Sequence, residues 1–115
     1  MNIFDYIGKT IDIVMDRPLG SEHPKFKWRY PVNYGYIPDT VSGDGEEIDV
    51  FLLGVFESVN KYEGKCIAVI EREDDNEYKL VAVPEDKKYN KDQIEVLVEF
   101  QERFFNSKII MEQDL

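Results

Sequence analysis

The stretch from Tyr30 to Leu53, Y-P-V-N-Y-G-Y-I-P-D-T-V-S-G-D-G-E-E-I-D-V-F-L-L, limits the possible folds more than any other part of the chain. Pro31 and Pro38 fix the backbone and remove amide donors, and Gly35 permits a bend where a side chain would obstruct, so this segment is rigid and non-helical. Gly43, Asp44 and Gly45 then signal a tight turn, after which Ile48, Val50 and Leu52 recur with the period of a strand while Asp49 faces the other way. At 115 residues the chain has the size of one domain, so a single domain over residues 1–115 is expected around this stretch.

On the N-terminal side, Met1 to Gly8 reads as a short helix or irregular lead-in, with Ile3, Phe4 and Ile7 at helical spacing. Lys9 to Met15 alternates around Ile11, Ile13 and Met15, as a half-buried strand does, and leaves Asp16 at its end. Pro18, Gly20 and Pro24 then require a loop before a short strand. Lys25, Lys27 and Arg29 alternate with Phe26, Trp28 and Tyr30, so extended backbone would place three cations on one face and three aromatics on the other. His23 has no second histidine or cysteine at metal spacing and reads as a solvated loop residue.

On the C-terminal side, Lys65 to Ile70 and Tyr78 to Val83 read as a hairpin joined by the acidic link E-R-E-D-D-N-E, whose bland reading is a solvated loop. Glu77 and Lys79 share a strand face. Asn90 and Gln93 have the spacing of a capping box, and Ile94, Leu97, Val98 and Phe104, with Phe100 and Phe105 beside them, form the apolar stripe of a helix packed on the sheet. The final I-I-M-E-Q-D-L reads as a segment that packs briefly or frays.

Charge narrows the partners. A formal net charge of -10 opposes contact with phosphate backbones, so nucleic acid is not an expected partner; no apolar segment approaches membrane length, so neither is a membrane. An aromatic-bearing barrel that binds single strands stays as an alternative that the charge disfavours. Cys66 is the only cysteine, lies in the apolar run C-I-A-V-I and suits a reducing compartment. Without a leader-like start, the expected location is cytoplasmic.

The acids of D-G-E-E-I-D cluster at a strand mouth. Clustered carboxylates repel one another, a bound cation relieves the repulsion, and hard oxygen ligands suit Mg²⁺, Mn²⁺ or Ca²⁺. On pattern alone, an acidic hairpin turn explains the motif equally well. Tyr34 and Tyr36 have one parity, so both hydroxyls can reach one surface, though core packing explains much of that pattern.

In order and spacing, Y-P-V-N-Y-G-Y-I-P-D-T, D-G-E-E-I-D-V and K-L-V-A-V-P resemble the soluble family I inorganic pyrophosphatases, with weaker similarity from I-V-M-D-R-P to E-R-F-F-N-S-K. The resemblance implies a mainly β fold with α, a small five-stranded OB-like β-barrel with a C-terminal helix packed on it. It also implies Mg²⁺-dependent hydrolysis of inorganic pyrophosphate to two phosphates by metal-activated water, with Mn²⁺ as a further candidate ion. Carried over by position, Asp44 and Asp49 would be metal ligands, Asp74 and Glu77 would complete the cluster, and Asp16 would stand beside the outer ions. Glu46 occupies the place of the acid that activates water. Lys25, Tyr34 and Lys79 match phosphate contacts, and Lys108 is a further match.

The departures from the family pattern are equally specific. Glu46 and Glu77 stand where the family has Asp, and Lys27 stands where it has Glu. A phosphate-binding arginine is lost with a shortened segment between Lys27 and Tyr30, for which Arg29 is the candidate substitute. The expected partners are pyrophosphate or another small phosphoanhydride, with a homo-oligomer left open. A non-catalytic relative that binds metal or phosphate is the alternative function.

Overall fold

The computed structural model describes residues 2–42 and 45–115; Gly43 and Asp44, the latter an expected metal ligand, lie outside the described residues. A short 3-10 turn, Ile3–Tyr6, opens the chain, capped by Asn2 and ended before Gly8 at φ 92°. It leads into β1, Thr10–Arg17, where alternation buries Ile11, Ile13 and Met15 and brings Asp16 to the strand's last turn of pleat.

The remaining elements are β2 (Asn33–Ile37), β3 (Ile48–Leu52), β4 (Lys61–Arg72), β5 (Tyr78–Val83), α1 (Lys91–Glu102) and β6 (Ser107–Met111). Their order in the sheet is β1-β2-β3-β5-β4-β6, and a further β1–β4 pairing closes the first five strands into the expected barrel. Neighbours are antiparallel except β3 and β5, which run parallel. Gly35 allows β2 to approach β1: a Cβ there would lie 2.1 Å from the Val14 carbonyl oxygen. Residues with any side chain would force the strands apart.

Two apolar layers result from the alternation. Ile13, Met15, Val50, Leu52, Cys66, Val69 and Leu80 fill the barrel, while Tyr34, Phe51, Ile70, Val81 and Val83 face outward and pack beneath Ile94 and Val98 of α1. The helix starts as its sequence requires. The Asn90 side chain accepts from the Gln93 amide at 2.8 Å, and the Gln93 side chain accepts from the Asn90 amide at 2.8 Å.

Three expectations differ from the structure. Lys25 to Tyr30 is not a strand: a turn follows His23, Lys27 sits at φ 65°, and the one bridge nearby joins Glu22 to Arg29. A left-handed residue breaks the two-residue alternation, so the three cations separate. Lys25 lies over the Phe26 ring, Lys27 faces Glu22 at 3.7 Å, and Arg29 donates to the Gly20 carbonyl at 2.9 Å. His23 anchors that turn, its Nδ1 accepting from the Lys25 and Phe26 amides at 3.0 and 3.1 Å.

Phe104 lies beyond the end of α1, 60% exposed, and stacks on Trp28 rather than on the core. The chain after it does not fray. β6 pairs with the second half of β4, from Ala68↔Met111 to Arg72↔Ser107.

Candidate active site

Strand parity gathers the site on the outer face of the barrel, beside the C-terminal end of α1. Asp49 shares parity with Phe51, Lys79 with Val81, and Tyr34 belongs to the same outward layer. On β4 the phase changes at a bulge between Cys66 and Ala68, so Ala68, Ile70 and Arg72 also face outward. The bulge therefore delivers Arg72 to the face that carries Lys79.

Lys79 is the centre of the group. Its side chain is 4% exposed, and its Nζ donates to Asp49 Oδ2 at 2.6 Å and to Glu77 Oε1 at 3.0 Å, with the Tyr34 ring 5.6 Å away. Burial opposes the charge on Lys79, but the charge and hydrogen bond of Asp49 outweigh it and push the ammonium pKa upward, so the side chain is a fixed cation. Burial likewise raises the Tyr34 hydroxyl, which stays protonated as a donor.

Arg72 completes the floor. Nε and Nη2 donate to the two oxygens of Glu102 at 3.0 and 2.6 Å, and Nη1 donates to Glu77 Oε2 at 3.3 Å. Its guanidinium lies 3.7 Å from the centre of the Phe105 ring. Burial disfavours this charge too, and the hydrogen bonds and charge of Glu102 reverse the effect and raise its pKa. Nothing in the acidic link marked Arg72 in advance, because Glu102 is 30 residues away in sequence.

Above this floor is an open cavity of about 300 Å³ whose walls include Asp16, Arg17, Trp28, Tyr30 and Gln101. Tyr30 donates to Gln101 Oε1 at 3.4 Å. The Asp16 carboxyl is pushed up, first by partial desolvation and further by the charges of Asp49 and Glu47. This mutual repulsion is what a divalent cation relieves, and carboxylate oxygens are the donors that Mg²⁺ and Mn²⁺ prefer. Asp16 and Asp49 supply oxygens of that type, two carboxylates on a cavity wall that also carries Arg17 and Lys79.

Of the other expected residues, only Glu77 belongs to this arrangement among the described residues. Among the described residues, no group of three or more His, Cys, Asp or Glu side chains is gathered closely enough to hold an ion. Asp44 lies outside the described residues. Asp74 Oδ2 accepts from the Asn106 amide at 3.0 Å, and Glu77 shares its two oxygens between Lys79 and Arg72. Glu46 is exposed in the turn before β3, its carbonyl accepting from the Ser42 amide at 2.7 Å. Lys25 is exposed and is not among the cavity walls. Lys108 lines a different hollow, of about 480 Å³, between α1 and β6.

A closed mixed barrel with a helix on its outer face defines the structural class of the chain. The fold has solved counterparts in that class: a pyrophosphatase structure from Ehrlichia chaffeensis superimposes with a TM-score of 0.72 at 19% identity, covering 93% of this chain and 88% of that one. One from Neisseria gonorrhoeae has a TM-score of 0.59 at 29% identity over 81% of this chain and 71% of that chain.

The family model for inorganic pyrophosphatase matches residues 7–111, and the chain belongs to that family. An inorganic pyrophosphatase of Neisseria meningitidis is 34% identical over 112 residues, and one of Xylella fastidiosa 29% identical over 108. These alignments cover 75% and 76% of this chain but 60% and 61% of those proteins, so the chain spans about three-fifths of their length. No helix among the described residues is long and apolar enough to cross a membrane.

Proposed function

We propose that the chain hydrolyses inorganic pyrophosphate to two phosphates in the cavity above Lys79. The observation that carries this reading is the buried Lys79 ammonium held between Asp49 and Glu77, with Tyr34 beside it, in a chain of the inorganic pyrophosphatase family. Lys79 and Tyr34 would bind phosphate oxygens and stabilise charge on the leaving phosphate. Lys25 would reach the substrate only from the exposed turn that carries it. Asp49, Asp16 and Asp44 would hold the cation, with Mg²⁺ proposed and Mn²⁺ as the substitute; Asp74 and Glu77 would join only by exchanging their present partners.

When bound, the ion would lower the pKa of water and draw charge from the phosphate oxygens. Glu46, exposed in the turn before β3, would accept a proton from the attacking water. The phosphoanhydride bond opens as the new oxygen–phosphorus bond forms, and no covalent enzyme intermediate is required.

Phosphate release from pyrophosphate with Mg²⁺ and separately with Mn²⁺ tests the proposal. Release above blank that is abolished by Asp49→Asn supports it, and blank-level release with both ions sinks it. One observation favours a second reading: both carboxylates that touch Lys79 already neutralise it, which suits a binding relative without turnover. Calorimetric binding of pyrophosphate without phosphate release would establish that reading instead.

A further inference from the structure

The mechanism above makes no use of Arg72, although it is the most heavily engaged cation of the site. It is 4% exposed, it holds Glu102 through two hydrogen bonds, and it reaches Glu77 Oε2 at 3.3 Å and Asp75 Oδ2 at 3.5 Å. Its backbone is fixed as well: the Arg72 amide donates to the Glu77 carbonyl at 2.9 Å, and Arg72 is paired with Ser107 across β4 and β6. A guanidinium held by two strands, a helix end and an aromatic ring has no alternative position into which to withdraw.

Glu77 shows the effect. Its Oε1 accepts from Lys79 at 3.0 Å and its Oε2 accepts from Arg72, so each carboxylate oxygen faces a protein cation. Asp49, Asp75, Glu77 and Glu102 carry four negative charges against two positive charges on Lys79 and Arg72. Asp49 pairs with Lys79 and lines the open cavity together with Asp16. A divalent ion on Glu77 would have to share its oxygens with two charged hydrogen bonds and remain beside a guanidinium that ordinary pH cannot discharge.

We propose that Arg72 is a positioning residue that substitutes for one divalent ion: it holds Glu77 against Lys79 and confines metal binding to the Asp49 and Asp16 side of the cavity. This inference rests on the proposed cation site but assigns Glu77 a different task, that of orienting Lys79. The side chain that carries a positive charge into the floor is then covalently part of the chain and present at every ion concentration.

The test is Mn²⁺ binding, followed by the resonance signal of free Mn²⁺ with no substrate present. Glu77→Gln in the otherwise unchanged protein is expected to leave the number of bound ions unchanged and to alter Kd less than about threefold. The pair Arg72→Gln and Glu102→Gln, which removes both members of the buried ion pair, is expected to bind one additional ion per chain, and adding Glu77→Gln to that pair is expected to remove it. Circular dichroism confirms folding; if the paired variant does not fold, Glu77→Gln alone decides. Loss of an ion, or a Kd more than tenfold weaker, in Glu77→Gln overturns the proposal, as does a folded paired variant that gains no ion. If the unchanged protein binds no Mn²⁺ while the paired variant binds one on Glu77, the role of Arg72 stands and the metal part of the proposed function fails.

Discussion

Asp49 and Lys79 are register partners on the parallel strands β3 and β5, and their side chains meet at 2.6 Å on the outer face of the barrel. Lys79→Met would keep the volume of the side chain and leave Asp49 and Glu77 facing one another without their shared cation. Both carboxylates retain contact with water, at 31% and 22% side-chain exposure, so the loss falls below the 3–5 kcal/mol of a fully buried broken pair, at about 1–2 kcal/mol. Denaturant unfolding measures it. Because Lys79 has its pKa raised in the fold, its contribution is present throughout the range below its ordinary pKa and disappears only in strong alkali, so the difference from the unchanged protein should be constant from about pH 6 to 9.

Glu46→Asp shortens the proposed base by one methylene and installs the side chain that the resemblance implies at this position. A displacement of about an ångström is worth roughly 10²-fold in rate, so the variant should release phosphate faster by up to about that factor. Single-turnover phosphate release at saturating pyrophosphate is the measurement. A slower variant would show that the longer acid is the one matched to this cavity.

Burial pushes the Cys66 thiol up to about 12. Between its ordinary value near 9 and that value, the folded chain holds a proton that the unfolded chain has released, so stability falls as pH rises through the interval, by up to about 1.4 kcal/mol per pH unit for this group. Replacing Cys66 with Ala should remove that slope between pH 9 and 10 while lowering stability uniformly at neutral pH. The same burial predicts that thiol reagents at pH 8 label Cys66 no faster than the barrel opens.

Asn90→Ala removes the acceptor of the Gln93 amide and one half of the capping box, and should cost about 1 kcal/mol in thermal or denaturant unfolding. Gly35→Ala is expected to be far worse. The added carbon meets the Val14 carbonyl rather than a mobile side chain, so β1 and β2 must separate where the barrel is closed. Failure to accumulate as folded protein, or a loss above about 3 kcal/mol, is the expected result.

Local patterns revealed the elements whose formation is local. Alternation marked β1 and β3, the hairpin pattern marked β5, and the Asn90–Gln93 pair marked the start of α1, because the atoms responsible are within a few residues of one another. Lys25 to Tyr30 has the same alternation, but the turn anchored by His23 and the left-handed Lys27 override it. β6 was hidden because the run is short and its pairing partner is β4, about forty residues earlier.

The site divides in the same way. Asp49, Glu77 and Lys79 share one face through parity and registry that short motifs carry, and the structure joins them at one ammonium. Arg72 gave no signal, since its identity as a buried residue depends on a bulge, a helix end and Phe105 all arriving at one place. An arginine among acids reads as solvated until that neighbourhood exists.

The β4 strand supports two different neighbours along one edge: its first half closes the barrel against β1, and its second half is covered by β6. All five barrel strands precede β6 in the chain. During synthesis, the edge from Ala68 to Arg72 therefore has to wait, with its unpaired amides and carbonyls offered to any passing strand, until Ser107–Met111 emerges. The hazard of aggregation is thus concentrated in a brief interval late in translation, and a chain cut short before Ser107 would carry that sticky edge permanently.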